Sequence, residues 1–294
     1  METRAGDGAR ALLRILGDLP GELRAEEPLA PYTTFRIGGK ALVFYRPAAE
    51  SALAEAVVRA RAHGFPWLVL GGGSKLLIPD RGFPGLILAT SELRGWREDG
   101  EVVRLGAGVP LSKVARRGAW QLAGIPGTVG GAVAMNAGTK HGAIADQVAW
   151  VQALLPSGRV HTFAPDESGF TYRDSLFRRL RLPVLGVGLR PAARQELSPF
   201  LAERARNQPL DLPSAGCVFR NPPDGRSAGW LIDQAGLKGV RVGDAMISDR
   251  HANFICNLGR ARACEVLELV DQVQDRVSHR FGVWLRLELE VVGE

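Results

Sequence analysis

Three residues in this sequence have side chains suited to proton and charge chemistry, each in a different setting. Cys217 lies in PSAGCVFRNP, between a run of small residues and an arginine that leads into an Asn-Pro turn signal. Arg173 lies in TYRDSLFR, and Glu288 in the closing segment WLRLELEVV. A zinc role for Cys217 needs further ligands at suitable spacing, and none is nearby. The three cysteines, Cys217, Cys256 and Cys264, form no CxxC pair. A nucleophilic role needs His63, His141, His161, His251 or His279 beside the thiol, and nothing in the spacing supports a pairing. Inert burial is the commonest fate of a cysteine. Taken alone, Arg173 fits a solvated or ion-paired side chain. Glu288 fits an exposed strand face that it would share with Glu290.

Two glycine-dense segments carry a different signal. Gly71-Gly72-Gly73-Ser74 follows the apolar run LVL, and three glycines let main-chain N–H groups close around an anion. The pattern is not the phosphate loop GxxxxGK[ST]. It is not the dinucleotide GxGxxG either, because the sixth positions counted from Gly71 and Gly106 are Leu76 and Leu111. A Rossmann domain is therefore disfavoured. GIPGTVGGAVAMNAG (124–138) is the second such segment, with Thr128 and Asn136 as its polar groups. So many glycines cost folding entropy, which favours contact with a bulky partner over a simple packed turn. Two such loops far apart in sequence suggest one extended ligand, such as a dinucleotide, held largely by main chain.

Composition narrows the class. The chain has 294 residues, 46% hydrophobic and 23% charged, which is ample for a buried core and atypical of disorder. Its formal charge is +6, yet five lysines leave 32 arginines among the 37 basic residues, and they are dispersed. No basic run marks a nucleic-acid tail, and a small anionic ligand fits better. The odd cysteine count and an N-terminus that carries Glu2 and Asp7 without an apolar signal core suggest a reducing compartment. Gly118 to Thr139 is free of charge but holds six glycines and Pro126, so it reads as buried loops and not as a membrane span.

The elements that must position these residues follow from periodicity. Leu12, Ile15, Leu16 and Leu19 predict an amphipathic helix over 7–19. PYTTFRIGG predicts a short strand and turn, ALVFYRP a strand, and SALAEAVVRARAHG a helix stopped at Gly64. PWLVL, GLILAT, EVVRLGAG, 147–155, 159–164 and 183–191 predict strands, and PLSKVARRGAWQL a helix opened by Pro110 and Ser112. QELSPFLAERARNQP reads as a helix, with a composition shift near 195. Val266, Leu269, Val270, Val273 and Val277 fall on one helical face, and WLRLELEVV alternates as a strand.

Taken in order, TTFRIGGKA, LVLGGGSKLLI, GAGVPLSKVA, GIPGTVGGAVAMNAG, YRDSLFR, QPLDLPSAGCVFRNP, AGWLIDQAGLKGVRVGDAMIS, HANFICN and FGVWLRLELEVVGE resemble one family. It is the UDP-N-acetylenolpyruvoylglucosamine reductases, also called UDP-N-acetylmuramate dehydrogenases, and the pieces span residues 33 to 294. The resemblance implies an α+β protein. A two-subdomain FAD-binding fold of the vanillyl-alcohol-oxidase type would occupy 1–85 and 86–195, and a C-terminal α+β substrate domain 196–294. It implies a cytoplasmic flavoenzyme of peptidoglycan synthesis, an NADP-dependent oxidoreductase classed as acting on CH–OH groups. FAD and NADPH are its cofactors and a UDP-sugar its substrate. No metal, nucleic acid, membrane insertion or obligate protein partner is implied.

Residue by residue, the resemblance implies FAD contacts from Arg36, from Gly71, Gly72, Gly73, Ser74, Lys75 and Leu76, and from Gly127, Thr128, Gly130, Gly131, Asn136 and Gly138. Arg173 would hold the substrate carboxylate, Glu288 would share hydrogen bonds with the enol, and Cys217 would stand where many members have the general-acid serine. An ordinary thiol, with a pKa of about 8.5, is a stronger acid than a hydroxyl, so proton delivery remains feasible. Thr33 and Lys75 depart from the family's usual asparagines, and Lys75 would contact the FAD pyrophosphate or point to solvent. No long insertion with a gripping tyrosine lies between Arg173 and Cys217, which suggests the shorter subtype. Arg204, Arg206, Gln208 and Arg220 are candidates for clamping the uridine diphosphate. The alternatives are a flavin oxidase on the same cofactor fold, and a noncatalytic nucleotide-binding module, which would be colourless.

Overall fold

The structure, a computed structural model, describes residues 2–293. The chain divides into two compact units that interleave in sequence. The first comprises the stretch to Glu27, Ala41–Gly72 and Pro84–Leu201; the second comprises Pro28–Lys40, Gly73–Phe83 and Ala202–Glu294. The GGGS segment therefore passes from one unit into the other between Gly72 and Gly73.

The first unit holds two sheets. One has four strands in the order Gly21–Ala25, Ala41–Pro47, Phe83–Ala89, Trp67–Leu70, the last pair parallel. Alanines and small apolar residues at helical spacing (Ala52, Leu53, Ala56, Val57, Ala60) bury one face of the helix Glu50–Ala62 in the core of this sheet. The helix Glu2–Leu16 contributes the buried Leu12 and Leu16 to the same core. The other sheet is antiparallel, in the order Val160–Phe163, Val148–Leu154, Val184–Leu189, Val102–Gly106, Trp96–Asp99. Its central strand Val184–Leu189 is buried along its whole length, as a continuous apolar run requires.

The second unit is built on a four-stranded antiparallel sheet, Ser214–Cys217, Phe254–Asn257, Ala245–Ile247, Arg241–Val242. The helix Ala263–Phe281 lays the expected face (Val266, Leu269, Val270, Val273, Val277) into the core. The Asp80 carboxylate accepts from the N–H groups of Ala263 and Cys264 at its start, and Gly282 ends it with φ 68.

Four expectations are corrected. PYTTFRIGG forms no strand: Ala30–Tyr32 is a 3₁₀ turn, and Thr33 donates within it instead of pairing across a sheet. The PLSKVARRGAWQL helix shortens to Leu111–Ala115, because Arg116, Arg117 and Gly118 do not sustain an apolar face and a 3₁₀ turn follows at Trp120–Leu122. The glycine-rich stretch is not all loop, since Val129–Met135 is helical with Val129 and Val133 buried. The closing strand is reduced to Glu290–Val291, paired parallel to Leu76–Leu77, with an isolated bridge Phe219↔Leu287 before it.

Candidate active site

In the first unit the glycine loops meet. A side-chain carbon at Gly72 would lie 2.6 Å from the Cα of Gly127, and one at Gly71 would lie 2.5 Å from the Thr128 hydroxyl, so only glycine permits this approach. A third segment joins them through main chain: Leu111 N–H donates to Gly127, Val129 N–H to Val109, and Gly130 N–H to Ala107, at 2.9–3.0 Å. Among the described residues the buried Thr128 hydroxyl has no hydrogen-bond partner. A main-chain cradle with an unsatisfied hydroxyl inside it fits an extended group bound by backbone, as FAD would be. Gly71, Gly72, Gly127, Thr128 and Gly130 form this cradle, and Gly131 is exposed beside it. Gly138 serves its own hairpin, packing against Ala143 where a side chain would not fit.

The turn that carries Arg173 is held from the same segment. Thr171 and Asp174 exchange main-chain hydrogen bonds at 3.0 and 3.2 Å, closing a two-residue turn whose second residue, Arg173, has φ 55. A non-glycine residue in the left-handed region costs about 1–3 kcal/mol and persists only where its surroundings impose it. Here the Asn136 amide donates to the Thr171 carbonyl at 2.8 Å and accepts from Ala145 N–H, and the Ser175 hydroxyl donates to Ala134 at 2.7 Å. The Asn136 side chain is thus committed to positioning the Arg173 turn. Partial burial acts to raise the Asp174 carboxyl, but hydrogen bonds from Arg179 and the Ser175 N–H, with the Arg179 and Arg178 charges, outweigh it and hold it below its ordinary 3.8.

In the second unit a bulge aims Cys217. Ser214 pairs with Cys256 and Cys217 with Phe254, so three steps on one strand oppose two on the other. Gly216, at φ 72, takes up the difference, which explains the glycine before the cysteine. The closing segment hangs on the same strand: the N–H groups of Glu288 and Leu289 both donate to the Val218 carbonyl, at 2.8 and 3.1 Å. This shared acceptor breaks the alternation of WLRLELEVV and turns Glu288 inward, to 6% exposure, away from the open strand face it would otherwise share with Glu290. The Lys75 ammonium donates to the Cys217 carbonyl at 2.7 Å and pairs with Glu288 Oε1 at 2.8 Å. Lys75, Cys217 and Glu288, more than two hundred residues apart at their extremes, are therefore one cluster.

Cys217 also lines a pocket of about 310 Å³ with Asn221, Trp230, Lys238, Arg250 and His251 among its walls. Burial holds the His251 imidazole below its ordinary 6.5, which leaves it neutral at pH 7. Arg204 lies near enough to Cys217 to feel its charge; burial lowers the guanidinium's pKa, and its Nε has no hydrogen-bond partner among the described residues. Arg206 is exposed, Arg220 half-buried, and Gln208 keeps a buried, unpartnered Oε1. Arg36 sits at φ 56 in the loop 33–40, where Asn257 donates to the Phe35 carbonyl beside it. Ser74 and Leu76 are half-buried at the start of the pairing with Glu290–Val291. The inert fate open to any cysteine belongs to Cys256: burial pushes its thiol up to about 11. Sequence reasoning missed the Lys75–Glu288 pairing and the pocket walls at Lys238, Arg250 and His251, since nothing in a lone basic residue reveals its partner.

The main-chain cradle of the first unit and the Lys75-linked cluster of Cys217 and Glu288 in the second fit a flavoprotein built from two units. Residues 41–164 match the FAD binding domain family, and residues 208–292 match the C-terminal domain of UDP-N-acetylenolpyruvoylglucosamine reductase. The chain is 40% identical to the UDP-N-acetylenolpyruvoylglucosamine reductase of Heliobacterium modesticaldum, over 96% of this chain and 95% of that one. It is 43% identical to reductase 2 of Symbiobacterium thermophilum, over 97% and 96%. The crystal structure of the UDP-N-acetylenolpyruvylglucosamine reductase from Thermus caldophilus superposes with a TM-score of 0.75 at 40% identity, covering 93% of this chain and 99% of that one. The chain belongs to the UDP-N-acetylenolpyruvoylglucosamine reductase family. It combines an FAD-binding domain of the vanillyl-alcohol-oxidase type with that family's C-terminal domain, and it is an FAD-dependent oxidoreductase of peptidoglycan synthesis that uses NADPH. No helix among the described residues is long and apolar enough to cross a membrane.

Proposed function

We propose that this chain reduces the enolpyruvyl double bond of UDP-N-acetylglucosamine enolpyruvate to give UDP-N-acetylmuramate, as a shorter-subtype UDP-N-acetylmuramate dehydrogenase with Cys217 as proton donor. The chemistry that FAD supplies when bound is hydride transfer from NADPH to the terminal vinyl carbon. Gly71, Gly72, Gly127, Thr128 and Gly130 would hold the cofactor through main chain and one hydroxyl. Arg173, presented on its strained turn, binds the substrate carboxylate and offsets the negative charge that grows on it as the hydride arrives. Cys217 Sγ then gives its proton to the carbon beside that carboxylate, which completes the addition of two hydrogens, and the thiolate regains a proton from solvent. Glu288 shares hydrogen bonds with the developing enol.

The observation that carries this reading is the meeting of the Cys217 carbonyl and the Glu288 carboxylate at one ammonium, with Cys217 also lining a pocket of about 310 Å³, large enough for part of a nucleotide sugar. Arg204 and Gln208, with unpartnered buried atoms, are suited to the diphosphate and uridine. The test is pH. A thiol must stay protonated to act as the acid, so turnover falls on the basic side as Cys217 ionises, and Cys217→Ser moves that limb upward because a hydroxyl ionises far higher. An unchanged basic limb in the serine variant rules out Cys217 as the donor.

A further inference from the structure

Lys75 is placed unlike a residue that merely decorates a glycine loop. Its ammonium reaches the main-chain carbonyl of Cys217 and the carboxylate of Glu288 within 0.1 Å of the same distance, 2.7 and 2.8 Å. Its own carbonyl accepts from Glu290 N–H at 2.8 Å, and the next residue pairs with Glu290 in the parallel ladder. Main chain and side chain of Lys75 thus grip both segments that carry the proposed proton chemistry. Gly216 lies beside the ammonium, and its φ of 72 is a conformation that L side chains rarely adopt. The side chain of Glu288 is only 8% exposed and that of Lys75 24%. An ion pair this enclosed is poorly screened, and removing one partner strands the other's charge.

We infer that Lys75 is a positioning residue for the reaction. It fixes the Glu288 carboxylate against the Cys217 segment, and it balances the Glu288 charge so that an anionic carboxylate substrate can enter the same cluster. This role rests on the assignment of Cys217 and Glu288 made under the proposed function. A lysine ammonium has three donors, and two are committed to these partners. The expected FAD pyrophosphate contact would therefore have to share an ammonium already tied to the catalytic cluster.

The test uses the FAD-loaded full chain in stopped-flow. Lys75→Met should keep its FAD content, read from visible absorbance, and its rate of flavin reduction by NADPH. It should lose about 10²-fold in the rate of reoxidation by the enolpyruvyl substrate, the scale of a displaced catalytic group. Lys75→Arg should restore most of that rate. Because the lysine acts through Glu288, the double variant Lys75→Met/Glu288→Gln should be no slower than Glu288→Gln alone. Wild-type reoxidation in Lys75→Met, losses that multiply in the double variant, or loss of FAD in place of reoxidation rate would each overturn the inference. A Glu288→Gln enzyme with wild-type reoxidation would bring down the catalytic reading of Glu288 as well. A crippled Glu288→Gln beside an unaffected Lys75→Met overturns only the positioning role.

Discussion

In the first unit, the segments around Gly71, Ala107 and Gly127 come together by omitting side chains, and their contacts run from main chain to main chain. In the second, Lys75, Cys217 and Glu288 come together through charged and polar groups brought from three distant segments by a bulge and a shared carbonyl. In the proposed reading, the first arrangement would bind without needing particular side-chain chemistry, and the second would do chemistry with residues that are ordinary one at a time. Substitutions in the two places should therefore fail differently. A side chain added to the cradle excludes the cofactor, whereas a side chain changed in the cluster leaves a yellow protein that does not turn over.

The largest effect is expected at the cradle. Gly72→Val drives side-chain carbons into the Gly127 backbone, which has no flexible end to move aside. Overpacking of this kind costs about 1–3 kcal/mol even before any ligand is lost. The purified variant should be colourless, with a lowered Tm that added FAD does not restore. A yellow variant of normal Tm would show that the cradle tolerates a side chain, and the contrast between the two regions would fail. The smallest effect is expected at the Arg173 turn. Asp174 is held below its ordinary 3.8, so its contribution to stability is present at neutral pH and is lost as pH falls below about 4 through the folded-state value. Asp174→Asn should accordingly be slightly less stable than the parent at pH 7, the difference shrinking as pH falls below 3.8 through the folded-state value. A difference that stays constant across that range would mean that the charge of Asp174 does not support the turn.

The same contrast governs what could be read in the sequence. Glycine density is written directly in the chain, so 71–74 and 124–138 were legible as places where backbone approaches something closely, and the helical face at Val266–Val277 was legible from period alone. The association of Cys217 with Glu288 was suggested only through resemblance to a family. Period placed Glu288 and Glu290 on one face, because alternation cannot register two N–H groups sharing the Val218 carbonyl. Lys75 offered two expectations, cofactor or solvent, and its side chain went to Cys217 and Glu288, a pairing across 142 and 213 positions that no local pattern encodes. The helix after Pro110 was read as too long because Arg116, Arg117 and Gly118 do not sustain its apolar face, and the 33–38 loop was misread as a strand because its contacts, such as Asn257 to the Phe35 carbonyl, come from distant residues.

The central claim is that cofactor holding and proton delivery are separable, with Cys217 serving only the second. It is tested most directly by single-turnover kinetics on Cys217→Ala. NADPH should reduce the bound flavin at the wild-type rate, and reoxidation by the enolpyruvyl substrate should slow by about 10²–10⁴-fold, the usual contribution of a positioned acid. Reoxidation at the wild-type rate, or an equal loss in both halves of the cycle, would contradict the account.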